Sequence, residues 1–236
     1  MGDGIRPHGL DRPAGHRMRP VRPLVLARHG HTSANAAKII DTVPPGADLT
    51  DTGRAEAKAL AVELGTPDSG VRKACGGPVV DIVHSGAHRA RHTARIVGDE
   101  LRMPVREVAG IHEIFGGDLE GLAGDEVMEA YRSVMRRWYD GELDAAMPGA
   151  GESGVQVLER YRAALADAME AASELPAGPL LVVSHSAAIR FVAFTLAGNL
   201  DAEFVRANPP TNCATVVLVP DGEGWRCTKW DRHELS

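Results

Sequence analysis

Near its N-terminus the chain reads Leu24-Val25-Leu26-Ala27-Arg28-His29-Gly30-His31-Thr32. The apolar run predicts a buried β-strand, and the glycine predicts a sharp turn in which the backbone can closely approach a ligand. Arg28 and His29 therefore stand at the carboxyl end of a predicted strand. Open α/β sheets bind their ligands at this end of the strands, so the basic corner is a candidate ligand site.

The composition is that of a soluble globular protein with one core. Hydrophobic residues make up 44% of the 236 positions and charged residues 25%, and no linker rich in Pro, Gly and Ser divides the interior. We therefore expect a single domain over residues 23–236. No apolar run reaches the length of a membrane span, so membrane binding is not predicted.

The three cysteines, Cys75, Cys213 and Cys227, form no CxxC pair. An odd number at irregular spacing argues against a disulfide framework and against a structural zinc site. Reduced thiols in the cytoplasm are the simplest interpretation of this pattern.

The chain is acidic overall, but its N-terminal segment is basic. The formal net charge of −6 does not favour nonspecific binding to nucleic acid, and an anionic ligand would need a local basic cluster. Residues 1–22 are rich in Gly, Pro and Arg and show no apolar period. We expect a disordered tail there. A basic docking arm is the alternative, and Met18 is an alternative start of the chain.

Strands and helices alternate over the remaining residues. Apolar runs predict further strands at residues 79–84, 104–108, 180–184, 215–219 and 225–230, the last two joined by a hairpin turn. Helical patterns occupy residues 33–40, 51–64, 87–101, 126–138, 152–175 and 187–196, with Thr50 or Asp51 as the cap of the second. This alternation favours an α/β fold: a single three-layer α/β/α domain with a largely parallel central sheet.

Similar chemistry recurs at three of the predicted strand ends. The first strand ends in Arg28-His29, the second ends near Ser85 with Arg89 one turn further on, and a later strand ends in His185. In a parallel sheet these ends lie on one edge, where two histidines and two arginines could meet. Forked guanidinium donors suit phosphoryl oxygens, and a histidine can act as a nucleophile on phosphorus.

Each of these residues also has a simpler interpretation when it is taken alone. Arg89 is one of three arginines in its helix and has the pattern of a solvated side chain. His185 follows a buried strand and is compatible with a hydrogen-bonded core histidine. Glu113, in a glycine-rich loop, is by itself typical of a surface carboxylate. Their joint placement at the ends of elements favours a site.

Several separated motifs follow one another in a consistent order. They are Arg28-His29-Gly30-His31-Thr32-Ser33-Ala34-Asn35, Leu49-Thr50-Asp51-Thr52-Gly53-Arg54-Ala55-Glu56-Ala57, Ser85-Gly86-Ala87-His88-Arg89-Ala90-Arg91-His92-Thr93-Ala94, Ile111-His112-Glu113 with Gly117-Asp118-Leu119-Glu120-Gly121, Gly151-Glu152-Ser153, and Val183-Ser184-His185-Ser186. Together they resemble the signatures of the histidine phosphatase superfamily, in its phosphoglycerate mutase-like branch (branch 1). The resemblance covers nearly everything after Pro23 and implies a phosphoglycerate mutase-like fold.

The resemblance implies a role for each matching residue. His29 would be the nucleophile that becomes phosphohistidine, and Glu113 would be the general acid and then the base, with Glu120 as the fallback. The phosphoryl group would be bound by Arg28, Arg89 and His185, and Asn35 matches a position beside the phosphate pocket. The implied substrate is a small phosphate ester, and neither a metal nor another cofactor is implied.

Three residues depart from the family pattern. His31 stands where Glu or Gln is usual and would change the polarity of the pocket rim, and His92 stands where Gln is common. Ser186 replaces the glycine that usually follows the second histidine, and its side chain could crowd the site or form a hydrogen bond there. None of these departures removes a proposed catalytic residue.

The family contains both phosphatases and cofactor-dependent mutases. Arg136-Arg137 is similar to a basic pair of phosphoglycerate mutases, although two helix-surface arginines are the simpler interpretation. The loop at Asp140–Gly151 is shorter than its mutase counterpart. We therefore favour a metal-independent phosphatase. The alternatives are mutase-type phosphotransfer and a non-catalytic protein that binds phosphorylated ligands.

Overall fold

The computed structural model of the chain describes residues 22–235. The predicted N-terminal tail lies outside the described residues except for Arg22, its last member. Arg22 is 8% exposed, and its Nη2 donates to the carbonyl of Ala172 at 2.6 Å. The folded region therefore includes at least one residue that the sequence assigns to the tail.

A mixed sheet of seven strands lies at the centre of these residues. The strands are β1 (Leu24–Arg28), β2 (Asp81–His84), β3 (Val105–Glu107), β4 (Leu180–Ser184), β5 (Thr215–Asp221), β6 (Gly224–Trp230) and β7 (His233–Glu234). Their order is β3-β2-β4-β1-β5-β6-β7. The first four strands in this order pair in parallel, and β5, β6 and β7 are added by antiparallel pairing. The predicted α/β fold with a largely parallel sheet is confirmed.

Helices cover both faces of this sheet. The α-helices are α1 (Ser33–Ala37), α2 (Asp51–Gly65), α3 (Gly70–Cys75), α4 (His88–Leu101), α5 (Asp125–Tyr139), α6 (Gly154–Ala171), α7 (Ser186–Leu196) and α8 (Ala202–Ala207). Successive strand residues point to opposite faces. In β1, Val25 and Ala27 pack with residues of α2, α3 and α4, whereas Leu24 and Leu26 belong to the core shared with α5, α6 and α7. These two cores produce three layers.

Local hydrogen bonds explain where several helices begin. Thr50 caps α2, as predicted, by accepting from the amide of Gly53 at 3.1 Å. The helix predicted from residue 152 begins at residue 154, because Ser153 and Gln156 exchange side-chain and backbone hydrogen bonds in a capping box. The six-residue helix α8 is absent from the sequence prediction, because it is too short to display a clear period.

The topology brings several candidate site residues to one edge of the sheet. β1, β2 and β4 run in the same direction, so the residues that follow Arg28, His84 and Ser184 share the edge at their carboxyl ends. Strand β5 runs in the opposite direction, which places residues that precede Thr215 at the same edge. Across residues 22–235, no helix has the length and apolar character needed to cross a membrane.

Candidate active site

Close backbone packing determines the direction of the chain after β1. Gly30 lies against Gly53 of α2, and a Cβ atom on Gly30 would lie 2.5 Å from the Gly53 carbonyl oxygen. The amide of Gly30 donates to Oγ1 of Thr93 at 3.0 Å, and the carbonyl of His29 accepts from Nδ2 of Asn212 at 3.1 Å. Because this approach leaves no room for a side chain, glycine is required directly after His29.

The imidazole of His29 is buried, and one of its two nitrogens forms a hydrogen bond within the protein. Its Nδ1 lies 2.8 Å from the Gly30 carbonyl oxygen, which can only accept, so Nδ1 carries the proton and Nε2 keeps a lone pair. Burial, together with the positive charges of Arg89 and Arg28, holds the pKa of His29 well below its ordinary value. The ring is therefore neutral near pH 7, and Nε2 has the free lone pair that a nucleophile requires.

His185 lies behind His29 and is completely buried. The centroids of the two rings are 5.2 Å apart. Nδ1 of His185 accepts from Nε of Arg89 at 3.3 Å, so Nε2 carries the proton and donates to Oγ of Ser85 at 2.6 Å. Both nitrogens of His185 are thus engaged within the protein. Its contact with a phosphoryl group stays a prediction.

Arg89 is held in place by a loop that wraps around its guanidinium group. The Nε of Arg89 donates to His185, as described above. Its Nη1 pairs with the carboxylate of Asp41 at 3.2 Å, and its Nη2 donates to the Asp41 carbonyl at 2.7 Å. Gly46 closes the loop with a φ of +63°, and a Cβ atom on it would collide with Nη1 of Arg89. The orientation of Arg89, which is only 3% exposed, is therefore set before any ligand binds.

Arg28 retains donor capacity that suits an anionic ligand. Its Nη1 donates to the carbonyl of Pro210 at 2.9 Å, but its Nε is buried and has no hydrogen-bond partner among the residues described. A buried donor without a partner is costly, so an oxygen atom of a ligand would stabilise it. Asn35 lies nearby at the cavity wall, where its Oδ1 accepts from the amide of Thr32 and from Nδ2 of Asn212, both at 3.2 Å.

Glu113 reaches the same region from the loop after β3 and contacts the start of α7. Its Oε1 accepts from the amides of Ile114 at 3.0 Å and Ala188 at 2.9 Å. Its Oε2 accepts only from the amide of Ala187 at 3.2 Å and so keeps an unused lone pair. The positive end of the α7 dipole thus holds the Glu113 carboxylate at the wall of the same cavity that His29 lines.

A cavity of about 640 Å³ opens in front of His29. Five of the six predicted site residues line it, and His185 is the one that does not. Much of the remaining wall is either positively charged or apolar. It includes Lys38, Ile39, Ile40, Met128, Tyr131, Arg132, Met135, Arg136, Tyr139, Arg190 and Arg206. The size and mixed lining are those of a small-molecule site.

The structure shows where two residues or pairs named as alternatives in the sequence lie relative to the cavity. Glu120, the fallback acid, accepts from the amides of Thr42 at 2.9 Å and Val43 at 3.1 Å and does not line the cavity. The predicted basic pair separates: Arg136 lines the cavity, whereas Arg137 is exposed and donates to Glu142 at 2.8 Å. Arg136 also pairs with Glu129 at the helix surface, so both arginines are surface residues and Arg136 reaches the cavity wall as well.

The three departures from the family pattern affect the cavity to different degrees. Nδ1 of His31 lies 3.0 Å from Oγ1 of Thr50, and His92 pairs with the carboxylate of Asp48. Neither histidine lines the cavity, so the expected change at the rim does not arise from His31. Ser186 does line it, as the first residue of α7, where a helical backbone accommodates serine without strain.

Several wall residues escape the sequence prediction. The sequence could have identified Arg190, because it lies four residues after Ser186 and therefore on the same face of the predicted helix. Asp41 and Arg206 gave no such signal, and neither did Asn212, which does not line the cavity but donates to the carbonyl of His29. Each of the three is placed by loops or by a short helix whose position depends on tertiary packing.

Comparisons with known proteins confirm the resemblance read from the motifs. The model of the histidine phosphatase superfamily (branch 1) matches residues 24–233. A metal-independent phosphoserine phosphatase of Arabidopsis thaliana is 30% identical over 174 residues, which are 73% of this chain and 67% of that protein. A probable phosphoglycerate mutase of Klebsiella pneumoniae is 31% identical over 207 residues, which are 87% and 88% of the two chains.

A solved structure agrees over nearly the whole domain. The structure of a mycobacterial glucosyl-3-phosphoglycerate phosphatase with VO3 has a TM-score of 0.71 to this chain at 25% sequence identity. The match covers 90% of this chain and 100% of that one. The three-layer fold inferred from the sequence therefore matches that of a known phosphatase.

The two buried histidines should show opposite tautomers. At pH 7 we expect His29 to carry its proton on Nδ1 and His185 on Nε2, because of the acceptors that each ring faces. Both rings should stay neutral as the pH falls below the ordinary histidine value of 6.5, since both pKa values are lowered. Long-range proton–nitrogen NMR correlations, assigned with His29→Asn, measure this. A proton on Nε2 of His29 would contradict the described site.

Proposed function

The chain belongs to the histidine phosphatase superfamily (branch 1), and we propose that it hydrolyses small phosphomonoesters through a phosphohistidine at His29. The superfamily and the relatives indicate a phosphatase or a mutase. One observation carries the hydrolase proposal: a neutral histidine with an uncommitted Nε2 lines a cavity beside two guanidinium groups.

In the proposed first step, Nε2 of His29 attacks phosphorus while the ester oxygen departs. Phosphoryl transfer depends mainly on positioning and on stabilising charge on the equatorial oxygens, and Arg28 and Arg89 would provide that stabilisation. A nucleophilic histidine close to two cations must be unprotonated, and its burial meets that requirement. The positive charge for this step comes from the protein itself, so the proposal includes no metal or cofactor.

Glu113 is the proposed proton carrier. A phosphomonoester has a second pKa near 6, so a monoanion can bring the proton that Glu113 passes to the departing alkoxide. In the second step Glu113 takes a proton from water, the water oxygen bonds to phosphorus, and the bond to His29 breaks. Phosphate and an unmodified histidine remain.

A cysteine close to His29 is a weaker candidate for the nucleophile. The amide of Cys213 donates to the carbonyl of His29 at 3.4 Å, but its side chain does not line the cavity. Burial raises the pKa of this thiol to about 12, so it stays protonated and unreactive.

The loop between α5 and α6 favours hydrolysis over mutase chemistry. A mutase has to exclude water from its phosphoenzyme. Here no residue in the range 140–153 lines the cavity. The loop folds back instead on the protein body, where the amide of Asp118 donates to the carbonyl of Pro148 at 3.0 Å and Nε1 of Trp138 donates to Ala145 at 2.7 Å.

Hydrolysis of an aryl phosphate in the presence of a chelator tests the proposed activity. The wild-type chain should turn over p-nitrophenyl phosphate, and His29→Ala should retain less than about one thousandth of the rate, because the nucleophile is gone. His92→Ala is a matched control outside the cavity and should stay active.

Other outcomes of this assay would favour the alternatives. Vanadate or phosphate binding without turnover of any phosphate ester would identify a binding protein. Rapid interconversion of 2- and 3-phosphoglycerate in the presence of a bisphosphoglycerate primer, with little phosphate release, would identify a mutase.

The role of Glu113 predicts a dependence on the leaving group. Glu113→Gln should slow hydrolysis of alkyl phosphates by about 10²–10³-fold and of p-nitrophenyl phosphate much less, because only a poor leaving group needs protonation. Glu120→Gln is the control and should show no such dependence. Steady-state rates over a series of leaving groups measure the difference, and equal losses on all esters would refute the acid role.

A further inference from the structure

Both ring nitrogens of His185 form hydrogen bonds within the protein. The residue is completely buried and does not line the cavity. Its Nδ1 accepts from Nε of Arg89 at 3.3 Å, and its Nε2 donates to Oγ of Ser85 at 2.6 Å. An imidazole has only these two hydrogen-bonding atoms. A direct contact with a ligand would therefore break one of the two bonds and deprive a buried side chain of its partner, which costs free energy.

Arg89, in contrast, lines the cavity and keeps donors for a ligand. A guanidinium group has five N–H donors. In Arg89 one of them goes to His185, one to the carboxylate of Asp41 and one to the carbonyl of Asp41. In the part of the chain that the structure describes, one N–H group on each of Nη1 and Nη2 remains for an anion. His185 can thus affect a bound phosphoryl group by fixing the orientation of this guanidinium group.

The hydrogen bond from Arg89 requires one tautomer of His185. Arginine can only donate, so Nδ1 of His185 has to carry a lone pair and the ring proton has to lie on Nε2. A proton on Nδ1 would face the Nε–H group of Arg89 and force the guanidinium group away. Burial and the positive charge of Arg89 hold the pKa of His185 well below its ordinary value, so the ring gains no second proton near pH 7.

Ser85 supplies the acceptor that this tautomer needs. In the parallel pairing of β2 with β4, His84 lies opposite Val183, and the amide of Ser85 donates to the Val183 carbonyl at 3.2 Å. This register brings Ser85 beside the end of β4, where His185 follows. Ser85 and His185 are both completely buried, so bulk water does not reach the bond between them. Without the hydroxyl, the proton on Nε2 would lose its acceptor.

We propose that His185 is a positioning residue that acts on the phosphoryl group only through Arg89, and that Ser85 sets the tautomer on which this action depends. The proposal differs from the direct phosphoryl contact that the family resemblance implies for His185. It deepens the proposed function and rests on it, because the orientation of Arg89 matters only when a phosphoryl group binds there.

Two substitutions of His185 separate the indirect role from a direct contact. In His185→Asn the amide lies near the place of Nδ1, so its oxygen can still accept from Arg89. In His185→Gln the amide lies near the place of Nε2, so the contact with Ser85 can form and the bond to Arg89 is lost. His185→Asn should bind inorganic phosphate within about threefold of wild type, and His185→Gln at least about tenfold more weakly than wild type, the effect of one hydrogen bond to a charged group.

Calorimetric titration with inorganic phosphate measures these affinities. The reverse order of the two variants, which a direct contact through Nε2 would produce, overturns the proposal. Equal affinities of His185→Asn and His185→Gln overturn it as well, because the position of the acceptor would then have no effect.

The role of Ser85 has a spectroscopic test. Ser85→Ala should move part of the His185 population to the tautomer with its proton on Nδ1, which long-range proton–nitrogen NMR correlations detect. Ser85→Cys should show a smaller shift, because sulfur is a weaker acceptor. Ser184→Ala is the matched control, since this serine is equally buried and its hydroxyl donates instead to the carbonyl of Ile111 at 2.8 Å. An unchanged tautomer in both Ser85 variants, or the same shift in Ser184→Ala, would overturn the role of Ser85.

Failure of this proposal can be told apart from failure of the hydrolase proposal. If p-nitrophenyl phosphate is hydrolysed and the two His185 variants bind phosphate equally or in the reverse order, the positioning role is refuted and the hydrolase stands. If no ester is hydrolysed but the affinities follow the predicted order, the hydrolase is refuted and the positioning role stands. A wild-type protein that does not bind phosphate would refute the link between Arg89 and a phosphoryl group.

Discussion

The hydrogen bond from Nδ1 of His29 to the carbonyl of Gly30 determines which nitrogen can react. It forms because the chain turns sharply at Gly30, and the turn exists because Gly30 and Gly53 pack backbone against backbone. The amide of His29 donates to the carbonyl of Ser184 at 3.0 Å, which fixes β1 beside β4 and sets His29 next to His185. The orientation of His29, the proposed nucleophile, is thus set by glycine packing and by strand pairing.

The second constraint is the burial of positive charge beside an uncharged histidine. Burial lowers the pKa of both Arg28 and Arg89, which reflects the cost of removing guanidinium groups from water. Asp41 offsets part of this cost at Arg89, and the carbonyl of Pro210 offsets part at Arg28. The unpartnered Nε of Arg28 remains, and a phosphoryl oxygen would supply the missing acceptor. This arrangement supports the proposal that Arg28 and Arg89 bind an anion.

The site residues that the sequence predicts follow local patterns at the ends of strands or the starts of helices. β4 occupies residues 180–184 as predicted, because an apolar run ending at a polar pair is a local pattern. Once the strands are parallel, Arg28, His29, Arg89 and His185 have to come to one edge. The ring contacts of His185 could not be inferred in this way, since they depend on how α4 packs against β4.

The residues that the sequence prediction missed come to the site through tertiary packing. Asp41 comes from a loop that wraps Arg89, and Arg206 from a helix of only six residues. Asn212 precedes β5, whose antiparallel direction alone brings it to this edge. Sequence patterns predict the part of the site that is proposed to transfer the phosphoryl group, whereas the residues of the opposite cavity wall can be identified only from the fold.

The central claim is that His29 carries the phosphoryl group. Glu113→Gln protein, in which the second step is slowed, can be mixed with p-nitrophenyl phosphate, quenched in alkaline denaturant and digested for mass spectrometry, with NMR to identify the bonded nitrogen. The account predicts one phosphoryl group on the peptide that contains His29, attached at Nε2 and absent from His29→Ala. A phosphoryl group on His185 or Ser85, or turnover that continues in His29→Ala, would contradict it.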